Sequence, residues 1–390
     1  MGASEPFVRC TLLGLAWLAS TAGAAEPPRY TLIELAAPPG MHAPVPLGMN
    51  NRGLIVGEAT DDGQGPYMAA VAWLNHRPIR LTGIAMSGAL ALAVSDDGTV
   101  VGSTDDSFVV TAFTWNDGQI TLLPGAHGIA HAINANGMIV GSVHDGASHA
   151  ARWVHSELEH LLPDDTISEA LDVNIHEEIV GVLSAGHWRA FHWSNGLWCE
   201  LPNLPGGETA RAEAINDGGI IVGRAAVSAS TYPTAAVLWE NGNIQQLDSA
   251  DAISSSAHGI NNTGWIVGRA TSPGHTRAVL WLDGVMHELS ALVDLPAGWL
   301  LTEALAIDDA GRIVGRGHSG GQTRAFLLVP QVPGDLTGDG HVDVSDLLAL
   351  LASWGPCPIG DSTPAPCPGD FNGDTAVDVS DLLILLANWQ

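Results

Sequence analysis

Short apolar runs flanked by glycine recur roughly every 40 residues along most of the chain. They stand at Gly53-Leu-Ile-Val-Gly57, Gly98-Thr-Val-Val-Gly102, Gly137-Met-Ile-Val-Gly141, Gly219-Ile-Ile-Val-Gly223, Gly264-Trp-Ile-Val-Gly268 and Gly311-Arg-Ile-Val-Gly315, and Glu177-Glu-Ile-Val-Gly181 is a seventh copy without the first glycine. An Asn-x-x-Gly turn precedes most copies, beginning at Asn50, Asn134, Asn216 and Asn261, with Ser95 and Asp308 as variants. Asn, Asp and Gly are what a hairpin needs where φ turns positive. Twelve to sixteen residues after the second glycine comes an Ala-apolar-x-Trp strand carrying Trp73, Trp115, Trp153, Trp193, Trp239 and Trp281. A leucine follows each tryptophan after eight residues: Leu81, Leu123, Leu161, Leu201, Leu247 and Leu289. Each unit therefore predicts four short strands joined by tight turns, as in a propeller blade.

The last unit breaks off after its third strand, residues 325–328, at Pro330. An orphan strand, Tyr30–Leu35, lies at the other end. If that strand completes the last blade, the ring closes and no open sheet edge remains. The expected fold is thus mainly β, a seven-bladed β-propeller over residues 30–330. These units resemble the HAF-type extracellular repeats, shown in full by Ala112-Phe113-Thr114-Trp115 and Ala190-Phe191-His192-Trp193. The resemblance implies secretion and a propeller-like array, and it brings no catalytic residues.

After a linker at 331–334 the composition changes. Residues 335–390 hold nine Asp and no Lys or Arg. Two twelve-residue segments repeat with a spacing of 35, each followed by a leucine-rich helix expected at 347–354 and 382–389. Calcium takes six to eight oxygens, supplied by an EF-hand loop at positions 1, 3, 5, 7, 9 and 12. Those positions hold Asp335, Thr337, Asp339, His341, Asp343 and Asp346 in the first segment, and Asp370, Asn372, Asp374, Ala376, Asp378 and Asp381 in the second. Gly340 occupies the sharp turn at position 6 of the first loop, whereas the second has Thr375 there. The duplication, the Asp at position 12 and the lack of a helix before each loop resemble the type I dockerin module. That resemblance implies two Ca²⁺ ions and a cohesin-like or other protein partner. Cys357 and Cys367, ten residues apart in a Pro-rich loop, read as a disulfide, leaving Cys199 as an odd thiol.

Composition narrows the function. The formal charge is −28 and all 14 basic residues are Arg, so nucleic acid and anionic membrane surfaces are disfavoured partners. Residues 1–24 read as a signal peptide, with Arg9, an apolar stretch at 11–20 and an Ala22-Gly23-Ala24 cleavage site, and no later segment reads as a membrane span. Secretion is the expected localisation. Gly317-His318-Ser319-Gly320-Gly321 fits a serine-hydrolase pattern, but it falls between two strands with no helix after it, and reads as a glycine-rich loop. His144, His149 and His187 come from loops of consecutive blades, and ordinary surface histidines are the expected reading. The repeated tryptophans are expected to pack between blades rather than to form a sugar platform.

In a four-stranded meander the second connector and the blade-to-blade connector share a face, and here those two vary in length, the longest lying at 58–69, 224–235 and 290–303. Variable loops on one face mark it as a recognition surface. Arg189, Arg224, Arg269, Arg277, Arg316 and Arg324 flank those loops, as a rim for a carbohydrate or another acidic ligand or as partners of nearby carboxylates. The expected function is non-enzymatic recognition and assembly, with the propeller binding and the calcium tail attaching. The alternative is an extracellular polysaccharide-active enzyme, a glycoside hydrolase or lyase, although no acid/base carboxylate pair stands out.

Overall fold

The computed structural model describes residues 27–61, 67–82, 88–106, 109–125, 127–155, 157–337, 342–357, 367–372 and 374–389. The signal-peptide reading, and Asp339, Gly340 and His341 of the first expected calcium loop, lie outside the described residues. The chain divides into two compact units, one of residues 32–328 and one of residues 329–390 with the segment just before 32.

The first unit is a seven-bladed β-propeller. Six blades are sequential antiparallel meanders of four strands, at 41–80, 88–122, 129–160, 168–200, 210–246 and 254–288. The seventh takes its first three strands from Trp299–Ile307, Ile313–Ser319 and Gln322–Pro330, and its fourth from Tyr30–Leu35. The orphan strand and the truncated repeat do complete each other.

The Trp–Leu spacing has a physical cause. Each of these tryptophans sits on the third strand of its blade, and in five of the six the indole N–H donates to the carbonyl just after the fourth strand of the preceding blade. Trp73 reaches Ala36 at 2.7 Å, Trp153 Pro124 at 2.8 Å, Trp239 Pro202 at 2.8 Å and Trp281 Asp248 at 2.6 Å. Trp115 makes the same bond to Thr82 at 3.0 Å. The acceptor in each case follows the leucine that ends a blade, and Leu35 plays that part for blade 7. A buried indole needs a partner for its N–H, and this one bolts adjacent blades together. Trp193 instead lies beneath the Arg152 guanidinium, 4.7 Å from its ring centroid.

The turn asparagines work on the axial side. Each uses its amide oxygen to hold its own turn and its amide N–H to reach the next blade. Asn134 bonds the Asn174 carbonyl at 2.9 Å, Asn174 that of Asn216 at 3.2 Å, Asn216 that of Asn261 at 3.1 Å, and Asn261 that of Asp308 at 2.9 Å. Asn50 continues the series to Ser95 at 2.8 Å. Blade 7 has Asp308, which lacks the amide donor, and Arg312 Nη2 spans to the Asn51 carbonyl instead at 2.8 Å.

The second glycine of every repeat faces the carbonyl of a first-strand residue beside a β-bulge. A Cβ at Gly141 would overlap the Ile129 carbonyl far inside van der Waals contact, and the same holds for Gly57, Gly102, Gly181, Gly223, Gly268 and Gly315 against their own first strands. Gly141→Ala must displace that strand and is expected to destabilise the propeller by on the order of 2–4 kcal/mol. Denaturant titration beside Gly88→Ala, where φ lies outside the left-handed region and the nearest atom to a Cβ is 3.8 Å away, checks it; equal small losses would contradict the steric account.

The second unit carries two helices, α1 (Val344–Ala352) and α2 (Val379–Ala387). Both start three residues earlier than the leucine pattern indicates, because Asp343 and Asp378 cap them and close capping boxes with Asp346 and Asp381. Val342, Leu350, Val377 and Leu385 form a small buried core, joined by Val332, so part of the expected linker belongs to this unit. Cys357 and Cys367 are disulfide-bonded, with Cα atoms 5.6 Å apart. The odd thiol expected at Cys199 is not found: Cys199 is disulfide-bonded, and no described cysteine is free. Among the described residues no helix is long and apolar enough to cross a membrane.

Candidate functional site

Three regions hold the residues singled out in the sequence: the variable-connector face, the axial channel and the two acidic loops. The variable connectors are shorter than the sequence indicates, because strands extend into them. The third strand of blade 5 begins at Thr234, and the first strand of blade 7 already at Trp299.

All six arginines of the expected rim make ion pairs within the propeller. Arg189 meets Glu200 at 3.6 Å, Arg224 meets Glu213 at 3.6 Å, and Arg324 meets Glu34 at 3.1 Å. Arg277 binds Glu288 at 3.1 Å and also Asp251. Arg269 and Arg316 share one carboxylate, Glu303, at 3.2 and 2.6 Å. Sequence reasoning missed Glu303 and Ser272, which line a cleft between blades 6 and 7 together with Arg269 and Arg316. One signal was available: blades 5, 6 and 7 each place Arg directly after the second glycine, at Arg224, Arg269 and Arg316.

Gly317–Gly321 forms the end of a strand and a two-residue hairpin, with Ser319 paired to Gln322 and both Gly320 and Gly321 at positive φ. No nucleophile elbow exists there. His149 stacks on His160 at 5.5 Å, His144 meets His127 edge-on at 6.4 Å, and His187 lies 3.2 Å from Glu208. His144 and His149 lie on strands rather than in loops, and His149 is buried rather than at the surface as expected; among the described residues the three do not form a metal-binding group.

Carboxylates from two blades do face one cleft, of about 310 Å³, on the opposite face: Glu178 from blade 4 with Asp217 and Glu240 from blade 5. Structural bonds occupy the first two. Glu178 accepts the Asn174 amide at 2.8 Å, and Asp217 accepts the Ile175 N–H at 3.0 Å and the Asn262 amide at 2.9 Å. An acid/base pair for hydrolysis needs carboxyls free to exchange protons with substrate.

First strands line the axis, and on those of blades 3 and 4 burial shifts a titratable group well away from its usual value. Burial pushes the Asp172 carboxyl up to about 7, against the pull of N–H donors from Ile215 and Val173. Burial also holds His131 down at about 4, against the attraction of Glu169.

In the second acidic loop of the tail, residues at positions 1, 3 and 5 are joined by hydrogen bonds. Asp370 accepts the N–H groups of Asp374 and Thr375 at 3.1 and 2.9 Å, and the Asn372 amide donates to Asp374 at 2.8 Å. Thr337 lies 3.4 Å from Asp335 in the first loop. Thr375 takes a φ of 75°, as the sharp turn at position 6 demands. The position-12 residues turn inward. Asp346 is fully buried and accepts N–H groups from Leu336, Thr337 and Asp343 at 2.8–2.9 Å. Asp381 repeats the pattern with Phe371, Asn372 and Asp378. Burial would raise both carboxyls, but the three backbone donors together hold each below its usual range. The donors are all oxygen, which suits a hard cation such as Ca²⁺. The described cluster of Cys357, Cys367 and Asp370 does not suit a soft metal, since disulfide-bonded sulfurs are not thiolates.

No protein-family model matches the chain, and no curated protein matches it. Solved structures match it in fold. A puromycin-hydrolyzing peptidase from Mycobacterium tuberculosis aligns with a TM-score of 0.51 and 9% identity, over 81% of this chain and 56% of that one. TolB from Acinetobacter baumannii aligns at 0.43 and 14% identity, over 72% and 64%. The chain spans less than two thirds of either. The likeness is one of propeller fold alone.

The two channel groups give opposite pH slopes. Folded Asp172 keeps its proton to about pH 7, while an unfolded Asp loses it near 3.9, so stability falls as pH rises from about 4 to 7. An unfolded His is protonated below about 6.5, while His131 stays neutral down to about 4, so stability falls as pH drops through that window. Relative to the parent chain, Asp172→Asn is expected to gain stability progressively from pH 4 to 7, and His131→Asn from pH 6.5 down to 4. Denaturation midpoints at pH 4, 5.5 and 7.5 check both; differences constant across pH would contradict these assignments.

Proposed function

We propose that this chain is a secreted, non-enzymatic recognition and assembly protein, in which the propeller binds a ligand and a calcium-loaded, dockerin-like tail attaches it to a protein partner. The observation that carries the reading is the duplicated surface of the tail. Val344, Leu348, Leu351 and Trp354 are all exposed along the first helix and the residues after it. Val379, Leu383, Leu386 and Trp389 repeat the row 35 positions later, with exposures of 59, 62, 49 and 41% against 59, 62, 50 and 45%. A unit this small that leaves eight large apolar side chains in water presents a docking surface. The disulfide supports an oxidising compartment, and the repeats fit the HAF-type pattern, whose members are extracellular.

Calcium would be held by Asp335, Thr337, Asp339, His341, Asp343 and Asp346, and by Asp370, Asn372, Asp374, Ala376, Asp378 and Asp381. The ion would offset the repulsion of clustered carboxylates that otherwise opposes compaction of the loops. Asp346 and Asp381 also tie each loop to its helix through backbone N–H groups, so they serve the fold as well as the metal.

Limited proteolysis of the secreted protein, with chelator and then with about 1 mM calcium, a level suited to extracellular modules, tests the reading. The expected result is cleavage beyond residue 331 only in chelator, with the propeller resistant in both conditions. Asp370→Ala is expected to abolish calcium protection of the second half of the tail. Equal resistance with and without calcium would reject the calcium role.

A further inference from the structure

Blades 6 and 7 leave a cleft of about 660 Å³ between them on the variable-connector face, within the size range of small-ligand sites. Glu303, on the first strand of blade 7, is 5% exposed and anchors its floor. One Glu303 oxygen accepts Arg316 Nε and Nη2 at 2.7 and 2.6 Å, and the other lies 3.2 Å from Arg269 Nη1. A guanidinium has five N–H donors, so Glu303 fixes both side chains while leaving most of their donors unused. Both arginines line the cleft, and their side chains remain 40 and 44% exposed.

A second observation points to a ligand. Ser272 lines the same cleft, is 3% exposed, and its Oγ has no hydrogen-bond partner. An unsatisfied buried hydroxyl is destabilising, and a polar ligand atom would supply the missing bond. The remaining wall is rich in hydroxyls, with Thr302 and Thr323 beside His318.

We propose that this cleft binds a short acidic saccharide, its carboxylate on Arg269 and Arg316 and its hydroxyls on Ser272 and the threonines. The proposal rests on the reading of the propeller as the recognition unit. Hydroxyl-lined walls suit a polyhydroxylated ligand better than peptide side chains, and Arg269, Ser272 and Arg316 sit on strands that are paired on both sides, to which a peptide backbone could not add. The ligand is short because a chain of charge −28 repels a long polyanion wherever the separation is within about one Debye length, ~8 Å.

Isothermal titration of the secreted full-length protein tests it, using trigalacturonic acid, its methyl ester and triglutamate, each in calcium and in chelator. Trigalacturonic acid is expected to bind equally in both buffers, with the ester and triglutamate at least about tenfold weaker, the loss expected for hydrogen bonds to charged groups. Arg316→Gln is expected to weaken binding by a similar factor, whereas Arg80→Gln, whose partner Asp61 lies in blade 1, leaves it unchanged. Ser272→Ala gives the sharper signature: weaker binding together with a higher melting temperature. It also keeps the test alive if Arg316→Gln fails to fold. Undetectable binding of the acid, equal binding of ester or triglutamate, or Ser272→Ala without effect on affinity would overturn the proposal. Loss of saccharide binding with calcium protection of the tail intact rejects this site alone; the reverse rejects the tail's role alone.

Discussion

A propeller blade is a thin sheet that buries neither of its faces by itself, so every blade needs a neighbour on each side and the ring needs to close. The indole clips and asparagine bridges meet that need in complementary ways. Trp73, Trp115, Trp153, Trp239 and Trp281 fasten five blades to the exits of the ones before, while Asn50, Asn134, Asn174, Asn216 and Asn261 fasten their blades at the axis to the ones after. Glycine after the Ile-Val pair lets the second strand approach the bulged first strand closely enough for both contacts to form. Closure then falls on Tyr30–Leu35 as the fourth strand of blade 7, which puts Ala36 in place to accept the Trp73 indole.

A rigid ring has a consequence for chemistry. Charged groups on its inner strands cannot relax into water, so they are paired, neutral or both. Arg211 bridges Glu169 and Glu213, Glu303 gathers Arg269 and Arg316, and burial keeps His131 uncharged at neutral pH. The same scaffold that forces these pairings holds the guanidiniums in fixed directions toward the cleft between blades 6 and 7, and preorganised donors lose little freedom on meeting a ligand.

How far the sequence could be read follows from the range of each constraint. Asn-x-x-Gly, Ile-Val-Gly and the Trp–Leu interval express contacts within one blade or between adjacent blades, and they repeat, so seven blades and the closing strand were legible. The two helices of the tail were legible as well, because leucine spacing along a helix is local. Non-repeating partners were not. Glu303 lies 13 residues from Arg316 and 34 from Arg269 along the chain, and nothing local marks it as their common acceptor. The bonding of Cys199 is likewise a tertiary fact. The helix starts were misplaced because the leucines mark the apolar face, whereas Asp343 and Asp378 set the cap.

Removing residues 30–35 tests ring closure most directly. The third strand of blade 7 is then expected to expose a free edge, the melting temperature to drop by roughly 10 °C or more, as for a loss of several kcal/mol, and the shortened chain to associate on size exclusion through that edge. A shortened chain that stays monomeric and melts at the parent temperature would contradict it.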